Sequence, residues 1–102
     1  MDVVTETLKT FALTHNYNQW VFEILRPYLG KDILEIGCGI GNLTCYFKKV
    51  GRLTCVDKSS LFIQHMKIDY PDLEFYPFDI TEDKVLSLAH QVFDTVICVN
   101  VL

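Results

Sequence analysis

Apolar positions along this chain change their period several times, and each change marks an element. Val4, Leu8, Phe11 and His15 recur at helical spacing, and Tyr17, Trp20, Val21, Ile24, Leu25 and Tyr28 repeat it more strictly. Two N-terminal helices are therefore expected, with Asn16 or Asn18 as cap of the second and Pro27 and Gly30 at its end. Ile33-Leu34-Glu35-Ile36 then reads as a short strand, halted by Gly37-Cys38-Gly39-Ile40-Gly41. Positions 42–50 return to helical spacing, burying Leu43, Phe47 and Val50 before Gly51 stops the run. Leu53-Thr54-Cys55-Val56 is a second strand ending at Asp57, and Ser59 or Ser60 caps a helix through Phe62 and Met66 to about Ile68.

Tyr70-Pro71-Asp72 turns the chain into a third strand over 73–78, which ends at Asp79. Thr81 is placed to cap a helix whose Glu82 and Asp83 suit its positive end and whose Val85, Leu88, Ala89 and Val92 share a face. Thr95-Val96-Ile97-Cys98-Val99 is a fourth strand, apolar without alternation, as expected when helices cover both faces of a sheet. Regular alternation of strand and helix predicts parallel strands joined by right-handed crossovers, hence an open α/β sheet with helices on both faces. Ligands of such sheets bind beyond the carboxyl ends of the strands where the winding reverses, here between the first and fourth strands. The chain divides into a helical segment, 1–30, packing on the sheet and a sheet-bearing domain, 31–102.

Length and composition narrow the classes. At 102 residues there is room for one core, and with 50% hydrophobic and 22% charged residues the chain is too apolar to stay disordered. A net charge of −4 supplies no positive field for nucleic acid or anionic lipid. No apolar run reaches the roughly 20 residues of a membrane span, and the start lacks the basic region of a signal peptide, so no membrane partner and a cytoplasmic location are expected. Cys38, Cys45, Cys55 and Cys98 stand 7, 10 and 43 positions apart, so no close pair suggests a metal, and buried reduced thiols are expected. His15, His65 and His90 are equally dispersed.

The candidate chemistry lies in the glycine segment. A tight turn between strand and helix needs one glycine; three in five positions imply that a ligand approaches the backbone closely. Counting from Gly37, the sixth position of a dinucleotide fingerprint is Asn42 instead of glycine, which disfavours a nicotinamide site. The absence of Gly-Lys-Ser/Thr excludes a phosphate-cradling P-loop. Asp57, 20 residues beyond Gly37 at a strand end, is placed to accept both hydroxyls of a ribose. Asp79 holds the corresponding place on the third strand, where it can accept from an exocyclic amine with Ile80 or Phe78 over the base.

In this order, Ile-Leu-Glu-Ile-Gly-Cys-Gly-Ile-Gly, Val56-Asp57, Phe78-Asp79-Ile80 and the run from Phe93 to Leu102, the chain resembles class I S-adenosylmethionine-dependent methyltransferases. The resemblance implies a Rossmann-like fold with sheet order 3-2-1-4 and S-adenosylmethionine as cofactor. It further implies that Glu35, Gly37, Cys38, Gly39 and Gly41 line the methionine and ribose side. Asp57 would hold the ribose hydroxyls, Lys58 would lie near the adenine, and Asp79 would receive its amino group beside Ile80. Asn100 would close the methionine end, and Tyr17, with Trp20, would cover the pocket. It names no catalytic side chain and no metal.

Such enzymes normally continue for three more strands and most of the acceptor pocket, and the match here breaks off after the fourth strand. A truncated chain, or a homodimer formed through the exposed edge of that strand, is the resulting expectation. A small-molecule acceptor is expected. The competing readings are a module that binds the methyl donor without catalysis and an NAD-binding fragment of the same fold class.

Overall fold

Short runs rich in β-branched and aliphatic side chains form the strand segments, and these segments assemble into the sheet. The computed structural model describes residues 15–39, 41–79, 81 and 92–98. Within these, a helix (α1) covers 15–25 and tightens into a 3-10 turn at Arg26–Tyr28. The strands are β1 (Asp32–Ile36), β2 (Arg52–Val56), β3 (Glu74–Tyr76) and β4 (Thr95–Cys98), with helices α2 (Thr44–Phe47) and α3 (Ser60–Asp69) between the first three.

All pairings are parallel and the strand order is β3-β2-β1-β4, as the resemblance implied. β1 is central: Ile33 pairs with Leu53 on one side and Thr95 on the other, and Ile36 with Val56 and Cys98. The winding reverses at β1, so the crevice beyond its carboxyl end, between β1 and β4, is the place for a ligand. The core beneath it is formed by Ile33, Phe47, Leu53, Cys55, Ile63, Met66, Phe75 and Ile97. Phe22 of α1 joins that core, with its ring stacked on Tyr46 at 5.2 Å, and Val21, Leu25 and Leu29 pack beside it.

Several sequence expectations shift in detail. Asn16 and Asn18 lie inside α1 and do not cap it, since the helix already includes residue 15; Asn18 is a buried polar side chain. Pro27 sits in the first turn of the 3-10 segment, where its missing amide costs nothing, so the helix tightens before it ends. The helix expected over 42–50 is regular only at Thr44–Phe47, flanked by turns. β3 is shorter than 73–78. Ser59 does cap α3, its hydroxyl accepting from the Phe62 amide at 3.2 Å. The double coverage expected of the fourth strand does not hold for Val96, which is 59% exposed, nor for the exposed Cys98. The first N-terminal helix and the helix after Thr81 fall outside the described residues.

A carboxylate fixes the opposite end of the sheet. Asp94 Oδ2 accepts from the Lys31 amide at 2.9 Å and the Asp32 amide at 3.2 Å, while Oδ1 accepts from the Thr95 hydroxyl at 2.8 Å. Thr95 Oγ1 in turn accepts from the Gly30 amide at 2.9 Å. A Cβ on Gly30 would lie 2.1 Å from Asp94 Oδ1, so any larger residue there would displace the carboxylate of the clamp. The clamp sets β4 in register with β1 before either strand reaches the crevice.

These bonds hold the Asp94 carboxyl below the usual carboxylate value, the Thr95 hydroxyl contributing most and the Lys31 amide next. A folded-state value below the unfolded one means that the contribution is present at neutral pH and is lost as pH falls through the folded value. Thermal melts of the wild type should therefore lose stability on acidification more steeply than those of Asp94→Asn, which should start lower at neutral pH. Parallel melting curves at all pH values would contradict the clamp.

Candidate functional site

The carboxyl ends of β1 and β2 are joined by main-chain bonds before any side chain contributes. Gly37 donates its amide to the Val56 carbonyl at 2.7 Å and Cys38 does so at 3.4 Å, which lays the glycine segment over the end of β2. The Gly41 amide then donates to the Cys38 carbonyl at 2.9 Å, closing a tight turn. Gly37, Gly39 and Gly41 have φ of 78°, 56° and 87°. All three glycines are therefore needed by the turn itself, which the sequence argument had assigned to a single glycine. The case for close approach narrows to Gly39, where a Cβ would meet nothing within 4 Å, whereas at Gly41 it would press on Met66 Cε at 2.6 Å.

Asp57 ties this loop to the next helix. Its Oδ2 accepts from the Gly39 amide and its Oδ1 from the Ser59 amide, each at 2.9 Å. Its own amide donates to the Tyr76 carbonyl at 3.2 Å, so β3 holds it as well. An ionised carboxylate has about four acceptor positions, so two amides leave both oxygens able to accept again.

Glu35 lies beneath the loop at 5% exposure. Its Oε1 accepts from the Thr44 hydroxyl at 2.6 Å and from the Cys55 thiol at 3.6 Å. Burial pushes its carboxyl above the usual glutamate value, against the lowering effect of those two donors, and the nearby Asp57 charge adds to the rise. Among the described residues the one ion pair is Arg52 with Asp32, 3.8 Å apart at the far end of the sheet, so neither Glu35 nor Asp57 has a cationic partner there.

Cys38 and Cys55 are buried. Contact with Cys38, burial and the Glu35 charge together push the Cys55 thiol far up, so it stays protonated and unreactive. Cys45 is half-buried and Cys98 is exposed, which corrects the expectation of four buried thiols. No cluster of three or more metal-ligating side chains occurs among the described residues.

The third strand brings Asp79 to the same edge of the sheet. Its Oδ1 accepts from the Thr81 amide at 2.9 Å and the Thr81 hydroxyl at 2.8 Å, which holds its carboxyl below the usual value, with exposed Lys58 adding a smaller pull. Thr81 thus donates to Asp79; the helix it was expected to cap lies outside the described residues. The Tyr76 and Phe78 rings stack beside it, 5.3 Å between centroids.

The structure therefore brings Glu35, Gly37, Cys38, Gly39, Gly41 and Asp57 together and places Lys58 and Asp79 on the adjoining strand ends. Ile80 and Asn100 lie outside the described residues. Tyr17 and Trp20 are exposed, their rings 6.1 Å apart on α1, while the core face of that helix is formed by Phe22 and its neighbours. Thr44 is the residue that sequence reasoning missed. The signal was a lone hydroxyl between Leu43 and Phe47, on the helix that returns over β1.

A family model described as a methyltransferase domain matches residues 34–102. The chain belongs to this methyltransferase domain family. The 235L protein of Invertebrate iridescent virus 6, whose name assigns it provisionally to the methyltransferases, is 34% identical over 58 residues, covering 54% of this chain and 22% of that protein. Among solved structures, magnesium protoporphyrin IX methyltransferase from Synechocystis PCC 6803 with bound SAM aligns with TM-score 0.66 and 18% identity, over 100% of this chain and 50% of its own. Coclaurine N-methyltransferase bound to N-methylheliamine and SAH aligns with TM-score 0.57 and 23% identity, over 68% of this chain and 23% of its own. The fold is that of Rossmann-like methyltransferases. This chain spans about a fifth of the curated relative and between about a quarter and a half of the solved ones.

The raised Glu35 carboxyl has a consequence for stability. A folded value above the unfolded one favours the fold below the unfolded value, and the advantage is lost as pH rises through the folded value. Glu35→Gln, which keeps an acceptor for Thr44, should melt higher than the wild type at pH 8 and about equally at pH 4, as differential scanning calorimetry would show. A lower melting point at pH 8 would contradict an uncompensated buried charge.

Proposed function

We propose that this chain forms the donor-binding part of an S-adenosylmethionine-dependent methyltransferase that acts on a small organic acceptor. The observation that carries this reading is the uncovered side of Gly39, held in place by the carboxylate of Asp57. A backbone without side chains, a carboxylate with acceptor positions to spare and a second buried carboxylate below suit an adenosyl ligand that bears a positive charge. The proposed division of the chain, 1–30 as a helical cover and 31–102 as the binding domain, follows the same reading.

When bound, S-adenosylmethionine supplies a methyl group on a sulfonium for in-line displacement. The contribution of the protein is orientation and exclusion of water, and orientation of two reactants can be worth about 7 to 11 kcal/mol. In the proposed site the loop from Gly37 to Gly41, with Cys38, lies along the methionine and ribose. Asp57 accepts from the ribose hydroxyls. Asp79, with Ile80, takes the adenine amine and edge, Lys58 lies alongside, and Asn100 and Tyr17 close the methionine end. Glu35 sets the charge beneath. The acceptor is proposed to be a small molecule because the two solved relatives are, by their titles, a protoporphyrin methyltransferase and an N-methyltransferase holding N-methylheliamine.

Calorimetric titration separates this reading from its rivals. S-adenosylmethionine and S-adenosylhomocysteine should bind while NAD does not; preferential NAD binding would overturn the reading. Asp57→Ala should weaken S-adenosylmethionine binding by about 1 to 3 kcal/mol through lost charged hydrogen bonds. An unchanged dissociation constant would remove Asp57 from the site.

The β4 edge supports a further proposal about assembly. β4 pairs with β1 on one side, and Val96 is exposed on it, so a second copy pairing along this edge would give a homodimer. Light scattering should then show a mass that doubles with concentration and reverts to monomer in Val96→Lys. A monomer at every concentration would reject it.

A further inference from the structure

The charge balance beneath the glycine loop carries an inference that rests on the donor-binding reading above. Glu35 is 5% exposed, and the donors on its Oε1 are neutral: the Thr44 hydroxyl at 2.6 Å and the Cys55 thiol at 3.6 Å. The titratable groups acting on it are Asp57 beyond β2 and Cys55 on β2, with Tyr70 at the end of α3 further out; Cys38 in the loop acts on Cys55, and Cys45 on α2 acts on Tyr70. Lys48 Nζ is engaged over the Tyr70 ring at 5.0 Å from the centroid. Asp57 already accepts from Gly39 and Ser59, but amides only partly offset a full charge. Two carboxylates thus lie close together without an ion pair to a cation among the described residues, while the side of Gly39 where a Cβ would point is uncovered.

A ligand carrying a positive charge on that uncovered side would stabilise both carboxylates at once. A ligand of the same shape without the charge would leave them repelling each other across a poorly solvated interior. S-adenosylmethionine and S-adenosylhomocysteine form such a pair, since they share the adenosine, the ammonium and the carboxylate and differ by one methyl and its sulfonium charge.

We infer that Glu35 acts as a proton-adjustable floor that tells the cationic methyl donor from its neutral-sulfur product. When the sulfonium form binds, Glu35 releases a proton to solvent and is charged. When the thioether form is bound, Glu35 takes a proton from solvent and is neutral. No bond to the ligand forms or breaks in this exchange. Discrimination between donor and product is thereby linked to pH: donor binding gains relative to product binding as pH rises through the titration of Glu35. Glu35 is a positioning and selecting residue here, and it touches no reacting atom.

The test is isothermal titration of both compounds into the full chain from about pH 5 to about pH 8, in buffers of different ionisation enthalpy. The ratio of the product's dissociation constant to the donor's should rise about tenfold over this range, the order expected when a ligand charge faces a buried carboxylate at an effective dielectric of about 20. Donor binding should release more protons than product binding. Glu35→Gln should bind both compounds with a ratio that does not vary with pH, and Thr44→Val should keep the slope but shift it to higher pH. A constant ratio in the wild type, or an unaltered slope in Glu35→Gln, would overturn the inference and leave the donor-binding reading intact. If neither compound binds at any pH, the donor-binding reading fails and the inference falls with it.

Discussion

A single carboxylate, that of Asp57, joins three pieces of backbone that would otherwise part: the glycine loop, the start of α3 and the end of β3. Its oxygens take the Gly39 and Ser59 amides, and its own amide reaches the Tyr76 carbonyl. Three glycines in five positions, all at positive φ, have a large conformational entropy in the unfolded chain, so an anchor on the middle one is what makes the loop a surface and not a hinge. The uncovered main chain at Gly39 is available to a ligand because Asp57 holds it from below.

The sheet delivers that anchor. β1 lies between β2 and β4 in parallel register, so its last residue, Ile36, and the last residue of β2, Val56, end level with each other. The Asp94 clamp at the other end fixes where β4 starts, and hence where it finishes beside Ile36. The hydrophobic core under the loop is dry enough to make Glu35 costly as an anion. Glu35 gives the buried Thr44 hydroxyl its acceptor, and a positively charged ligand would supply the counter-charge that the described residues lack.

Much of this was readable in the sequence, and the unreadable part has identifiable causes. The switch from helical spacing to apolar runs predicted the succession of strands and their parallel direction, because those depend on side chains that repeat; the order 3-2-1-4 was implied by the family resemblance. The position of Asp57, 20 residues past Gly37, followed from a strand-loop-helix unit of fixed length. Bounds of short elements did not follow: α2 is one turn long, flanked by turns, and no period can be read in four residues. The face of α1 was ambiguous because both its sides are apolar. Phe22 faces the core while Tyr17 and Trp20 face outward, and spacing alone cannot order them. Thr44 was missed because its role is set by a partner nine positions earlier in another element.

The solved relatives share this fold at 18% and 23% identity. The central claim is that the bonds made by Asp57 present a surface for an adenosyl group. A crystal structure of the chain with S-adenosylhomocysteine tests it most directly. The account predicts density above Gly39, with both ribose hydroxyls donating to Asp57 and the loop unmoved from its Asp57 anchor. Density elsewhere on the molecule, or a loop released from Asp57 when the compound binds, would contradict it.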